Sequence, residues 1–243
     1  MRRFAALVCM TAIAAACGTG GLFRQYEYEE DIYLSLDGTA TVYVNGSVAA
    51  LDALLGTSFD INPNAVVDRA KILAFYSTPV TRVTSVNTSR RSNRRFVHVR
   101  LDVDDVRKLG EATPFEWSSY EFILDGNLYA YRQRVGPAAG KDVGGVGWTG
   151  RELAAFRLHL PSKVVSQNTD KPRRGNILVW EQLLDDRRRS VPLTLEARIE
   201  TQSILYRTLW LFGGTFAAVA IMFGLVICWI LRKGARDSLG VSD

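Results

Sequence analysis

The sequence predicts an antiparallel α+β domain joined to one C-terminal transmembrane helix, and three observations carry that prediction. Apolar residues between about Tyr26 and Ile199 mostly recur with a period of two, the mark of strands that bury one face. Three short segments read as helices, yet they do not alternate with strands in the βαβ order of a parallel sheet. The run Thr208 to Leu231 contains no charged residue. At a rise of 1.5 Å per residue it forms roughly 36 Å of helix, enough to cross a bilayer.

Met1-Arg2-Arg3 places positive charge before an apolar run, Phe4 to Ala16, which ends in the small residues Ala14-Ala15-Ala16-Cys17-Gly18. This is the order of a secretory signal peptide, read over residues 1–17. The run is about 13 residues long, short of the roughly 20 a span requires. Cys17 is a lipidation candidate of the bacterial lipoprotein type, although Ala14 stands where a bulky aliphatic residue is usual. The alternative is a small residue beside an ordinary cleavage site.

The extracytoplasmic domain is expected over residues 22–203. Tyr26, Tyr28, Ile32 and Leu34 alternate with polar neighbours, and Asp37-Gly38 turns the chain into Thr39 to Val48, which makes a hairpin. Ala49 to Leu55 reads as a short helix closed by Gly56. Asn62-Pro63 reads as a cap and first-turn proline, opening a helix to Tyr76 with Val66, Ala70 and Leu73 on one face. Val97, Val99, Leu101 and Val103 alternate along a strand whose partner is Thr81 to Asn87. Asp104 is expected to cap a short turn through Val106 and Leu109. Asp125-Gly126-Asn127 joins Tyr120 to Leu124 and Leu128 to Val135 in another hairpin. Gly136 to Gly150 reads as a loop, either a flap over a site or a flexible connection. Strands follow at Phe156 to Leu160, Ile177 to Trp180 and Leu193 to Ile199.

The membrane span is read over 207–231, with a cytoplasmic tail over 232–243. Arg232, Lys233 and Arg236 follow the apolar run directly, and such an excess of positive charge marks the cytoplasmic side. The signal sequence predicts the same orientation. Trp210 and Trp229 fall near the two interfaces.

The composition excludes several classes of function. The chain has 3 cysteines, Cys9, Cys17 and Cys228, so the domain itself has neither a disulfide nor a thiolate metal site. Its net charge of +5 is modest and gives no case for nucleic acid. Gly140-Lys141 is followed by Asp142, where a phosphate loop needs Ser or Thr. The only two histidines, His98 and His159, sit at outward strand positions beside arginine, with no nucleophile or further ligands arranged around them. The acidic pairs Glu29-Glu30, Asp104-Asp105 and Asp185-Asp186 fit strand faces and turns. No catalytic constellation, metal or cofactor is expected.

Basic clusters occur at Arg90-Arg91 with Arg94-Arg95, at Lys171 with Arg173-Arg174, and at Arg187-Arg188-Arg189. They read as solvated hairpin tips or as contacts to anionic headgroups, since each basic residue near a bilayer contributes about 1 kcal/mol.

The segment Leu158-His159-Leu160-Pro161-Ser162, then Gly175-Asn176-Ile177-Leu178-Val179-Trp180-Glu181, and then Leu193-Thr194-Leu195-Glu196-Ala197 resembles the closing half of the LppM-like domain. Ser162 departs from the glycine usual in that family. The resemblance implies a curved antiparallel sheet with two or three helices, related to lipid-binding folds, in a non-enzymatic bacterial envelope protein of the plasma membrane. The partner it implies is a lipid or glycolipid ligand; the alternative reading is a tethered adaptor that binds another envelope protein. Tyr26, Tyr28, Phe75, Phe122, Tyr129, Tyr131, Phe156 and Trp180 would then line an apolar cavity. They could equally fill a solid core, which is the preferred reading.

Overall fold

The computed structural model describes residues 24–172 and 174–239 of the chain. The expected signal segment, with Cys9 and Cys17, lies outside the described residues, as does Arg173.

The strands are β1 (Tyr26–Leu34), β2 (Ala40–Ser47), β3 (Thr81–Arg91), β4 (Arg94–Val103), β5 (Ser118–Asp125), β6 (Leu128–Val135), β7 (Leu153–His159), β8 (Ser162–Gln167), β9 (Ile177–Leu183) and β10 (Leu193–Ser203). The helices are α1 (Val48–Leu55), α2 (Arg69–Tyr76), α3 (Leu184–Arg188) and α4 (Ile204–Leu239). Two sheets form, one ordered β3-β4-β2-β1-β7-β9 and the other β5-β6-β10-β8. All pairings are antiparallel except β1 with β7, which is parallel. The fold is therefore the mixed α+β class the sequence predicts, with its strands divided between two sheets.

Both sheets supply one core. Tyr28, Ile32, Val42, Val99, Leu101, Phe156 and Leu178 come from the larger sheet, and Phe122, Tyr131, Leu195 and Ile199 from the smaller. A bulge between Tyr26 and Tyr28 shifts the phase of β1, which turns Tyr26 outward and leaves Tyr28, Glu30 and Ile32 facing inward.

Helix α1 begins directly from β2. The Ser47 hydroxyl accepts from the Ala50 N–H at 3.1 Å, and Gly56, with φ +70, closes the C-terminus as expected. Its first seven residues, Val48 to Leu54, are all buried.

Helix α2 corrects the expected boundary. Asn62-Pro63 forms a turn, and the helix starts at Arg69, capped by Asp68 Oδ1 accepting from the Ala70 and Lys71 N–H groups at 3.1 Å. The later start shifts the buried face to Ile72 and Tyr76, leaving Leu73 and Val66 exposed. Asp105, rather than Asp104, caps the 3-10 turn Val106–Glu111.

Strand β10 passes directly into α4. Ile204–Leu231 is a stretch of 28 residues, long and apolar enough to cross a membrane, and its most apolar window buries no residue in the domain. Within it the Thr208 and Thr215 hydroxyls donate to the carbonyls of Ile204 and Leu211 at 2.9 and 2.8 Å, which satisfies them inside the helix.

Candidate functional site

The glycine-rich loop 136–150 is where the larger sheet, α1 and the β3–β4 turn come together. Its backbone completes α1, because the Ala139 and Gly140 N–H groups donate to the otherwise open carbonyls of Leu54 and Ala53 at 2.9 and 3.0 Å. Gly140 and Gly147 hold φ of +67 and +74, conformations that favour glycine. Lys141, whose neighbourhood excluded a phosphate loop, anchors the segment through Asp52 Oδ2 at 3.1 Å.

A buried ion pair fixes the other half of the loop. Arg94 Nη2 lies 3.0 Å from Glu27 Oε1, with side chains 9% and 0% exposed. Arg94 Nη1 donates to the Val146 and Gly147 carbonyls, and Trp148 Nε1 donates to Glu27 Oε2 at 3.2 Å. Arg95 is equally buried, but its guanidinium donates to backbone carbonyls, those of Ala65 at 2.7 Å and of Asp60. It thus holds its positive charge against neutral oxygens.

Between the loop, α1 and the β3–β4 turn lies a cleft of about 520 Å3. Val48, Ala49, Ile61, Pro63, Val143 and Val146 form its apolar lining, and Asn62, Asn93, Arg94 and Arg95 its polar part. That size, with apolar walls and a few convergent polar groups, suits a small organic ligand.

The core holds a second polar feature that sequence reasoning missed. Glu30 is 1% exposed and faces the smaller sheet. Its Oε1 accepts from Tyr120 Oη at 3.0 Å and Gln133 Nε2 at 2.8 Å, and its Oε2 accepts from Tyr28 Oη at 3.0 Å. Tyr131 Oη donates to Gln133 Oε1 at 2.9 Å, while Tyr76 Oη has no hydrogen-bond partner among the described residues. Burial pushes the Glu30 carboxyl above its ordinary range, against the opposing pull of the donors Gln133, Tyr28 and Tyr120. The signal was a glutamate at an inward strand position between Tyr28 and Ile32.

The residues expected around an aromatic cavity are distributed through packed structure. Tyr28, Phe122, Tyr131, Phe156 and Trp180 are core residues, at most 4% exposed. Tyr129 stacks on Phe122 with 4.9 Å between ring centroids, and Phe75 packs edge-on against Phe59 and Tyr76. Tyr26 lies on the outer face, its hydroxyl donating to Glu181 Oε1 at 2.5 Å.

The arginines expected to meet headgroups differ in exposure. Arg94, Arg95 and Arg187 are buried, Arg187 donating to Gln182 Oε1 and the Gly136 carbonyl at 3.1 and 2.9 Å. Arg90 reaches Asn64 and Asn93, and Arg91 donates to the Tyr26 carbonyl at 2.6 Å. Arg188 and Arg189 pair with Asp185 and Asp186. All seven sit at the end where β1 begins. Helix α4 starts at the opposite end, where Ser203 pairs with Ser162. The 9 residues of β1 separate the two ends by about 30 Å at roughly 3.3 Å each.

Among the described residues no group of three or more His, Cys, Asp or Glu side chains could hold a metal ion. His98 joins Ser89 and Asn45 at 2.8 and 2.9 Å, a surface network.

The geometry thus defines a two-sheet α+β domain that runs directly into one helix long and apolar enough to span a membrane. Among solved structures the chain is similar to the NMR structure of the folded domain of Mycobacterium tuberculosis LppM, at 14% sequence identity and a TM-score of 0.42. The match covers 75% of this chain and 95% of that one. No family model and no curated protein matches the sequence.

Proposed function

We propose that the chain is a non-enzymatic, single-pass membrane protein of the bacterial envelope whose domain, on the extracytoplasmic side, binds a lipid or lipid-like ligand in the cleft beneath the glycine-rich loop. The observation that carries this reading is the cleft itself. Apolar residues line it, and at its edge Arg95 holds a buried positive charge against neutral carbonyls. That combination favours an anionic amphiphile, the chain in the apolar part and the acidic group toward the arginine.

Gly145 offers a direct test because it lines the cleft, and a Cβ added there meets no atom within 4 Å. Native mass spectrometry of the full chain released from detergent should show a bound anionic amphiphile. Gly145→Trp should lose it while melting at the same temperature as wild type. A wild-type chain that carries no adduct would remove the ligand reading, and a protein retained in its place would favour the adaptor.

A further inference from the structure

At the end of the larger sheet nearest α4, strand register sets five residues in one outward row. Arg82 lies opposite Asp102, Asp102 opposite Thr41, Thr41 opposite Tyr33, and Tyr33 opposite His159. With strands about 4.8 Å apart the row is roughly 19 Å long. It lines a groove of about 510 Å3 whose inner side includes the buried residues Leu34, Ala40, Val103 and Leu160. Pro161, at one end of the groove, accepts from the Ile204 N–H at 3.1 Å and from Ser203 Oγ at 3.4 Å. The groove is therefore level with the start of the membrane-spanning helix.

Its chemistry is that of a zwitterion's complement. Arg82, 71% exposed, is held loosely by Asp102 at 3.6 Å, and Asp104 is exposed on the rim. One cation beside two carboxylates disfavours a purely anionic headgroup and leaves room for a phosphate with a balancing ammonium. The Tyr33 ring is 44% exposed, as suits an interfacial aromatic, and is braced by His159 stacked beneath it at 3.8 Å. Tyr43 also packs against it, with 5.4 Å between ring centroids, and its exposed part borders the groove.

We infer that this groove seats the headgroup of a bilayer phospholipid carrying an ammonium group, with the phosphate on Arg82 and the ammonium on Asp104, beside the exposed part of Tyr33. The inference rests on the membrane-tethered reading above, and the site is separate from the cleft at the far end of the domain. It places the first lipid contact of the domain at the neck and orients the larger sheet toward the bilayer surface.

The test uses the full chain in nanodiscs of equal phosphatidylethanolamine and phosphatidylglycerol, in a Gly145→Trp background so that the distal cleft does not contribute. Lipids retained after gas-phase release are counted by native mass spectrometry. The chain should keep phosphatidylethanolamine several-fold over phosphatidylglycerol, and Arg82→Ala with Asp104→Asn should abolish the preference. Retention without preference, or an equal preference in the double variant, overturns the groove and leaves the tether standing. Failure of the chain to co-elute with the discs overturns both. Melting of the double variant, whose two changes are on the surface, confirms that its fold is retained.

Discussion

Glu30→Ala and Glu30→Gln probe a carboxylate buried between the two sheets. The alanine variant strands the Tyr28 and Tyr120 hydroxyl donors and leaves Gln133 Nε2 only its long 3.4 Å contact to Tyr120 Oη, in a core where Tyr76 Oη already has no partner among the described residues. At about 1 kcal/mol or more for each stranded donor, plus a cavity, it should lose roughly 3–5 kcal/mol. Glutamine keeps the shape and a carbonyl acceptor for Tyr120 and Gln133, so its cost should stay within about 1 kcal/mol. The pH dependence has a definite sign. Because burial raises the Glu30 pKa in the folded state, the native protein holds the proton more tightly than the unfolded chain. This contribution to stability is fully present below the unfolded value of 4.5 and is lost as pH rises through the folded pKa. Urea unfolding of the full chain in micelles, followed by tryptophan fluorescence between pH 4 and 8, measures both effects. Trp117 packs edge-on against Tyr28 at 5.5 Å and should report the local change. An alanine variant that loses less than about 1 kcal/mol, or a glutamine variant with the wild-type pH slope, would overturn this role for Glu30.

Arg94→Met should cost about 3–5 kcal/mol, since it leaves Glu27 charged and buried without its partner. It should also release loop 136–150, which hydrogen exchange would show as faster exchange at Gly140, whose N–H donates to Ala53. Gly56→Ala should cost about 1–2 kcal/mol in the same unfolding assay. Its φ of +70 is unfavourable for alanine, and the new Cβ would lie 3.1 Å from Ala139 Cβ.

The strands and hairpins were legible because period-two alternation and turn residues are local signals. Asp125-Gly126-Asn127 and the Gly56 stop of the first helix are read without knowledge of any partner. The start of α2 was not, because Asn62-Pro63 and Asp68 are both acceptable openings and only the packing of Ile72 and Tyr76 selects the second. The partners of the clustered arginines were not legible for a related reason. Sequence places Arg94 and Arg95 beside a turn, but their guanidinium groups reach carbonyls at Asp60, Ala65, Val146 and Gly147, far away in the chain. Glu30 and Gln133 sit at inward positions whose meaning depends on the facing sheet. The division of the strands into two sheets, and the parallel pairing of β1 with β7, are likewise non-local.

The tether and its orientation are tested most directly by cysteine labelling in intact cells, with Cys9, Cys17 and Cys228 replaced. Asp170→Cys lies in the domain at a side chain 83% exposed, and Ser242→Cys in the tail beyond the apolar stretch Ile204–Leu231. A membrane-impermeant maleimide should label position 170 in intact cells and position 242 only after permeabilisation, with both variants remaining in the carbonate-washed membrane fraction. Labelling of position 242 from outside, protection of position 170, or release of the chain by carbonate would contradict the tethered topology.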